Sequence, residues 1–168
     1  MRVIAKIRGG LLDHVRRDLA RPHAFAHERV GFLTACVAAV PLGVLLAIRD
    51  YLPVADGDYE PDPHVGARIG SSAMRKATQA AYRPPLALVH IHSHGGRGEP
   101  RFSPVDLRSA DEFVPGFFGP MPRMPHGLIV LSNDSAHGLL WHDSGRKPVR
   151  ISDFVRVGAP YKRSWGTA

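Results

Sequence analysis

The stretch that decides the fold is LVHIHSHGGRGEPRFSPVDL, residues 88–107. It opens with a short apolar run, which predicts a buried strand. Because side chains alternate along a strand, His90, His92 and His94 would point to one side. Imidazole nitrogens are good metal ligands, and a carboxylate can complete a set of three. Asp106 is the nearest aspartate downstream, after a glycine-rich turn, so the stretch predicts a metal site with one position left for water.

The composition is that of a soluble globular protein. The 168 residues include ten histidines and one cysteine, with 44% apolar residues and 22% charged residues. This length predicts a single domain, 1–168, with a C-terminal tail at 158–168. Cys36 cannot form an internal disulfide, so nothing favours a secreted disulfide scaffold. The first ten residues lack the long apolar run of a signal peptide, and we expect a cytoplasmic protein.

An uncharged stretch at 30–48 (VGFLTACVAAVPLGVLLAI) approaches the length of a transmembrane span. Pro41, Leu42 and Gly43 lie in its middle and predict a tight turn. Its β-branched and small residues favour two strands that are buried on both faces. We therefore expect a hairpin and no membrane association.

The remaining elements follow from hydrophobic periodicity and from the positions of Gly and Pro. They are a strand at 2–7, an amphipathic helix at 11–20, a loop at 53–70, a helix that is capped by Ser71 or Ser72 and runs to about Tyr82, a helix at 106–113 opened by Ser103 and Pro104, a loop at 115–126, a hairpin of 127–132 with 138–142, and a strand at 149–157. Strands and helices mix along the whole chain without internal repeats, which predicts an α/β or α+β domain.

The formal charge of +7 comes from 18 arginines against 4 glutamates. Arg16 and Arg17 are the only neighbouring arginines, and no basic run typical of nucleic-acid binding occurs. The charge therefore indicates at most an acidic or mixed partner surface, and we expect no nucleic-acid partner.

His92-Ser93-His94 followed by Ser103-Pro104-Val105-Asp106 resembles the JAMM motif of the JAB/MPN metalloproteases. In that family His-Ser/Thr-His is followed by seven residues and then Ser-x-x-Asp. Here eight residues separate His94 from Ser103, and the glycines among them can absorb the extra residue in a turn. A register that uses His90 and His92 leaves ten residues before Ser103, which is a poorer match. His90 is then expected to pack or to line the cleft.

The family also has a catalytic glutamate well upstream of the motif. Only Glu28 among the four glutamates lies upstream at the start of an apolar strand. The other three lie in the loop at 53–70, inside the motif turn or after the motif. Taken alone, Glu28 would be read as a surface charge paired with Arg29 or His27, and the motif favours the catalytic role.

The resemblance covers Arg2 to about Gly158 and implies a three-layer α/β domain of the cytidine-deaminase-like kind, with a mixed sheet flanked by helices. It implies a zinc hydrolase with Zn²⁺ on His92, His94 and Asp106. Glu28 would act as general base. Ser103 would donate to the developing oxyanion, cap the following helix, or do both.

Family members cut after the C-terminal tail of ubiquitin or a ubiquitin-like protein. The minimal chain resembles stand-alone bacterial members, whose partners include E1/E2-like proteins of the same pathway. The loops at 53–70 and 107–126 stand where the family carries substrate-binding insertions. Several side chains would either form an apolar rim for the substrate or pack beneath their own loop. These are Phe113, Phe117, Phe118, Met121 and Met124, with Ser93 and His90 nearer the metal. The alternative function is a non-catalytic JAB/MPN-type scaffold or binding module.

Overall fold

The computed structural model describes residues 1–23, 26–41 and 43–158. Over these residues the chain forms eight strands, three α-helices and one short 3-10 helix at Asp56–Asp58. In chain order the strands and α-helices are β1 Arg2–Arg8, α1 Gly9–Leu19, β2 Val30–Val40, β3 Gly43–Pro53, α2 Ser71–Tyr82, β4 Ala87–Ser93, α3 Pro104–Phe118, β5 His126–Leu131, β6 Ala136–Trp141, β7 Val149–Arg150 and β8 Asp153–Val157.

The strands form one mixed sheet in the order β7-β6-β5-β4-β2-β3-β1-β8. β1 is parallel to β3 and β8, β4 is parallel to β5, and the other neighbours are antiparallel. The sheet curls until its ends approach each other, because only Ile151 and Ser152 separate β7 from β8. The Ile151 N–H donates to the Gly138 carbonyl of β6, and the Ser152 N–H donates to the Val3 carbonyl of β1. This mixed sheet with its helices confirms the α/β class.

Helices cover both faces of the sheet, over two separate hydrophobic cores. α1 packs on one face, while α2 and α3 pack on the other. Because side chains alternate along β4, Val89 and Ile91 enter the core beneath α1. Leu88, His90 and His92 point to the opposite face. The histidines of the central strand are therefore directed toward α2 and α3.

The stretch 30–48 forms the antiparallel pair β2 and β3 as predicted, although Leu42 of the turn lies outside the described residues. The prediction of burial on both faces is wrong for the far half of β2. Val30–Ala35 is buried and Cys36 is exposed, because β4 pairs only with the first six residues of β2. Among the described residues, no helix is long and apolar enough to cross a membrane.

α1 and α2 lie where the sequence predicts them, although α1 begins two residues earlier, at Gly9. The N-cap of α2 is Gly70, and no side chain caps this helix. The prediction that Ser71 or Ser72 caps it is therefore wrong.

α3 is longer than the sequence predicts, and the loop predicted at 115–126 is wrong over its first four residues. The helix continues through Pro115, a residue that disfavours helix interiors. Phe117 and Phe118 are 2% and 6% exposed in its last turn. Burial of these two rings outweighs the local penalty of the proline.

The single strand predicted at 149–157 is two strands that join opposite ends of the sheet. β7 pairs with β6, whereas β8 pairs with β1. Local sequence carries no signal for this change of neighbouring strand, which depends on the curl of the whole sheet. Apart from Gly158, the tail predicted at 158–168 lies outside the described residues.

His126 opens β5 and is fully buried. Its Nδ1 accepts the Leu88 N–H at 3.1 Å, so the neutral ring carries its proton on Nε2, which lies 3.3 Å from the Met121 carbonyl. Burial lowers the pKa of His126 to about 4. An ordinary histidine has a pKa of about 6.5, so the unfolded chain binds this proton more tightly. Stability is therefore lost as the pH falls from about 6.5 to about 4.

Wild type should lose up to about 3 kcal/mol of its free energy of unfolding through His126 as the pH falls, and we expect His126→Asn to be free of this loss. Asn keeps an acceptor for the Leu88 N–H but does not titrate. Urea unfolding at about pH 7 and about pH 4 measures the loss in each protein. His64→Asn, at an exposed histidine, is the control. An equal loss in wild type and His126→Asn would contradict the assignment.

Candidate metal centre

Two histidines lie close together at the end of β4, on the face of the sheet beneath α2 and α3. His92 is 2% exposed, and the side chain of His94, one residue beyond β4, is 27% exposed. Their Nε2 atoms lie 3.2 Å apart. The Ser93 hydroxyl donates to the Leu131 carbonyl and accepts the Gly95 N–H, both at 3.2 Å. Ser93 therefore supports the turn. It does not line the cleft of about 430 Å³ that lies beside these histidines and is described below.

A glycine-rich link then reverses the chain. Gly95, Gly96 and Gly98 have φ values of +63°, +67° and +80°, a region that favours glycine. The turn between β5 and β6 holds this link, since the Asn133 N–H donates to the Gly96 carbonyl at 3.0 Å. The Gly98 N–H donates to the Asp134 carboxylate at 2.8 Å. The eight-residue spacing is thus folded into a tethered turn that returns the chain to the histidines.

The start of α3 fixes the carboxylate that meets them. The Asp106 N–H donates to the Ser103 hydroxyl at 3.1 Å, and the Ser103 N–H donates to Asp106 Oδ2 at 2.6 Å, which is a capping box. Asp106 Oδ1 lies 3.5 Å from His92 Nε2, and Oδ2 lies 3.4 Å from His94 Nε2. Burial opposes ionisation of Asp106, but His92 and Ser103 together hold the pKa of its carboxyl well below its ordinary value.

Glu28 reaches the same place from the other side. Val30 pairs with His92 in the antiparallel ladder of β2 and β4. This pair is the last of the ladder, and Glu28 and His94 each lie two residues beyond it. Glu28 Oε1 lies 3.9 Å from His94 Nε2. Ligand atoms of Glu28, His92 and His94 all lie within 4.8 Å of one another.

The cluster has the composition of a binding site for a divalent cation. Two imidazole nitrogens and two carboxylates converge, and such groups suit a transition metal better than Mg²⁺ or Ca²⁺. The Nε2 atoms of His92 and His94 both face the Asp106 carboxylate. The residues therefore fit a metal ion.

A cleft of about 430 Å³ opens beside the cluster. His90 lines it and lies against Phe32 and Phe113, with ring centroids at 5.4 and 5.1 Å. Burial lowers the pKa of His90 to about 3, with a smaller contribution from His92, so the ring is neutral. The loop between β3 and α2 lines the cleft through Val65, Gly66, Ala67, Arg68 and Ile69, and α3 lines it through Val105, Ser109, Glu112 and Phe113.

The aromatic residues proposed for the rim separate into two groups. Phe113 lines the cleft. Phe117, Phe118 and Met121 are at most 6% exposed and pack in the core beneath α3, and partly buried Met124 packs against that core. The predicted rim is therefore limited to Phe113, because residues 107–118 are helix and direct the later rings inward.

Three residues at the site escape local sequence reasoning. Asn133 and Asp134 are recognisable only as a hairpin turn, and their bonds to the glycine-rich link depend on how β5 and β6 pack. Gly66 lies in a Pro/Asp-rich loop, yet its carbonyl accepts the N–H groups of His27 and Glu28, both at 2.9 Å. No residue pattern near position 66 indicates this contact.

A larger cavity of about 640 Å³ lies on the α1 face, away from the cluster. Its lining is mainly apolar, and Asp13 and Arg156 at its edge pair with each other at 2.9 Å. The smaller cleft is therefore the functional candidate, because it alone of the two adjoins the converging histidines and carboxylates.

No family model and no curated protein matches this sequence. Among solved structures, the chain is similar to the STIL N-terminal domain of Trichoplax adhaerens, with a TM-score of 0.36 and 10% sequence identity. The match covers 80% of this chain and 39% of that chain. Similarity at this level carries no argument about fold or function.

We expect Ser103→Ala to lower the free energy of unfolding by about 1 kcal/mol, because the first turn of α3 loses its side-chain cap. Ser103→Thr keeps the acceptor and should retain most of that stability. Ser71→Ala, at a helix start without a side-chain cap, is the matched control. Urea unfolding compares the variants, and equal losses for Ser103→Ala and Ser71→Ala would count against the capping box.

Proposed function

We propose that this protein is a zinc-dependent peptidase or isopeptidase of the JAB/MPN type, acting after the C-terminal tail of a ubiquitin-like protein. The observation that carries the proposal is the convergence of Glu28 with His92, His94 and Asp106. Glu28 lies just before β2, His92 and His94 lie at the end of β4 and just beyond it, and Asp106 lies in α3, yet their side chains meet in contacts within 4 Å. The family motif requires these residue types in this order.

Zinc is the metal that the family motif implies, and two imidazole nitrogens with one carboxylate are a ligand set that catalytic zinc takes. His92 Nε2 and His94 Nε2 lie 3.2 Å apart, and each faces a different oxygen of Asp106, at 3.5 and 3.4 Å. Bound zinc would lower the pKa of a coordinated water to about 7 and so supply a nucleophile at neutral pH.

Asp106 is the better third ligand and Glu28 the better base. Asp106 lies within 3.5 Å of both histidines and is held by the capping box. Glu28 lies farther out, 3.9 Å from His94 and within 4.8 Å of His92, and its side chain is 30% exposed at the cleft. A carboxylate beside the ligands, with access to the cleft, can accept a proton from the attacking water and deliver it to the leaving amine.

Ser103 can cap α3 and serve the reaction together. Its oxygen accepts the Asp106 N–H, and its hydroxyl also bonds to the Asp106 carboxylate, from which it could turn to donate to a bound substrate. The hydroxyl hydrogen would then stabilise the negative charge that develops on the attacked carbonyl oxygen. Losing one such donor typically costs about 10²–10³ in rate.

The cleft suits an extended peptide tail. The Glu60 N–H donates to the Arg68 carbonyl at 2.9 Å. The Gly70 N–H donates to the Asp58 carbonyl at 2.8 Å. Arg68 and Gly70 thus bond to the segment at 58–60. Because backbone groups alternate in direction along an antiparallel strand, the N–H and C=O of Ile69 between them point away from that segment. Ile69 lines the cleft, so a substrate strand could pair along this edge. E1/E2-like proteins would be partners in the same pathway.

We expect one zinc ion per wild-type chain after gentle purification, measured by plasma mass spectrometry. His92→Ala and Asp106→Ala should lose it, because each removes a ligand from a set of three. Glu28→Gln should retain it. His14→Ala, at an exposed histidine on α1, controls for the loss of any histidine. Zinc retained in His92→Ala would show that the ligand set is wrong.

We expect Glu28→Gln to cut a fusion of a ubiquitin-like protein roughly 10²–10⁴-fold more slowly than wild type, because the variant keeps the metal but loses the base. Cleavage is followed by gel electrophoresis, with zinc content measured on the same samples. Unchanged cleavage would rule out Glu28 as the base. A zinc-loaded wild type that binds such a protein without cutting it would favour the scaffold alternative.

A further inference from the structure

The loop between β3 and α2 is hydrogen-bonded to the backbone at Glu28 through one residue, Gly66. The Gly66 carbonyl accepts two backbone N–H groups, from His27 and Glu28, both at 2.9 Å. The side chain of the next residue, Arg29, donates guanidinium N–H groups to the Arg21 and Pro22 carbonyls, both at 2.9 Å. The backbone at Glu28 is therefore held by its own N–H and that of His27, and the neighbouring Arg29 side chain is anchored as well.

Gly66 also touches the carboxylate itself. A Cβ at position 66 would lie 2.7 Å from Glu28 Oε2 and 2.8 Å from its Cδ. These separations are well inside van der Waals contact, which begins near 3.5 Å for heavy atoms. Gly66 is not among the glycines with positive φ, so its backbone conformation is open to alanine. What position 66 requires is space beside the carboxylate.

We infer that Gly66 is a positioning residue for Glu28: its bare Cα forms the wall that holds the carboxylate against His94. This inference rests on the proposed function, in which Glu28 is the general base. The carboxylate is the far end of a flexible side chain, whereas its backbone is held by hydrogen bonds. A methyl group at position 66 would therefore displace the carboxylate and leave the backbone in place.

The same loop also shapes the substrate cleft. Val65 and Ala67 flank Gly66 and line the cleft. Gly66 therefore links the position of the base to the wall that a substrate tail would contact. The specific consequence of filling position 66 is a misplaced base beside an intact metal site.

The test is Gly66→Ala, with Gly57→Ala as matched control because nothing lies within 4 Å of a Cβ at Gly57. We expect Gly66→Ala to bind one zinc and to melt close to wild type, since only a flexible side chain moves. Its kcat should fall roughly 10²-fold, as for a misplacement of about 1 Å, with KM changed less than about threefold. Adding Gly66→Ala to Glu28→Gln should leave the residual rate nearly unchanged.

A readout independent of activity uses ¹³C-carboxyl-labelled glutamate. Only four glutamates occur in the chain, so the Glu28 signal can be assigned from its absence in Glu28→Gln. Gly66→Ala should shift this signal in the zinc-loaded protein, and Gly57→Ala should not. If wild type cuts nothing, this shift still decides the inference separately from the proposed function.

Two results would overturn the inference. One is an unmoved Glu28 signal in zinc-loaded Gly66→Ala, and the other is an equal loss of rate in the wild-type and Glu28→Gln backgrounds. If Gly66→Ala does not fold, Gly66→Ala with Glu28→Asp decides, because the shorter acid leaves room for the methyl group. If that double variant folds, the result supports a clash between the methyl group at position 66 and the Glu28 carboxylate. If neither Gly66→Ala nor the double variant folds, this clash is refuted.

Discussion

The antiparallel register between β2 and β4 is the constraint on which the site depends. Val30 and His92 form the last pair of the ladder, and just beyond it Glu28 Oε1 and His94 Nε2 lie 3.9 Å apart. A shift of one residue would turn the β4 histidines into the core beneath α1, because side chains alternate along a strand. Apolar residues of β2 and β4 fill both cores and thereby fix the register. Hydrophobic packing thus determines which carboxylate faces the histidines.

The second carboxylate is positioned by local interactions. Asp106 is held by its own capping box with Ser103, and the glycine-rich link needs only to bring the start of α3 into range. Because the link is tied to Asn133 and Asp134, an additional residue in it changes the turn and not the helix start. This explains how a spacing of eight residues still places Asp106 within 3.5 Å of both histidines.

Patterns that repeat locally were predictable from the sequence. A short apolar run located β4, alternation placed His90 and His92 on a common side, and helical periodicity located α1. Properties that depend on distant packing were not predictable. The continuation of α3 through Pro115 needs buried aromatic rings, and the division of 149–157 into two strands needs the curl of the sheet. Gly66 is the clearest case, because its importance lies in a contact with a side chain 38 positions earlier.

Each residue of the site is supported by a different part of the fold. β4 supports His92, a helix cap supports Asp106, and a loop carbonyl supports the backbone of Glu28. In small zinc domains the metal supplies the folding free energy, since no core exists without it. Here two hydrophobic cores already fix the strands and helices that carry the ligands. Hydrophobic packing, a helix cap and a loop carbonyl therefore position the candidate ligands, and the folding of this domain differs in that respect from small zinc domains.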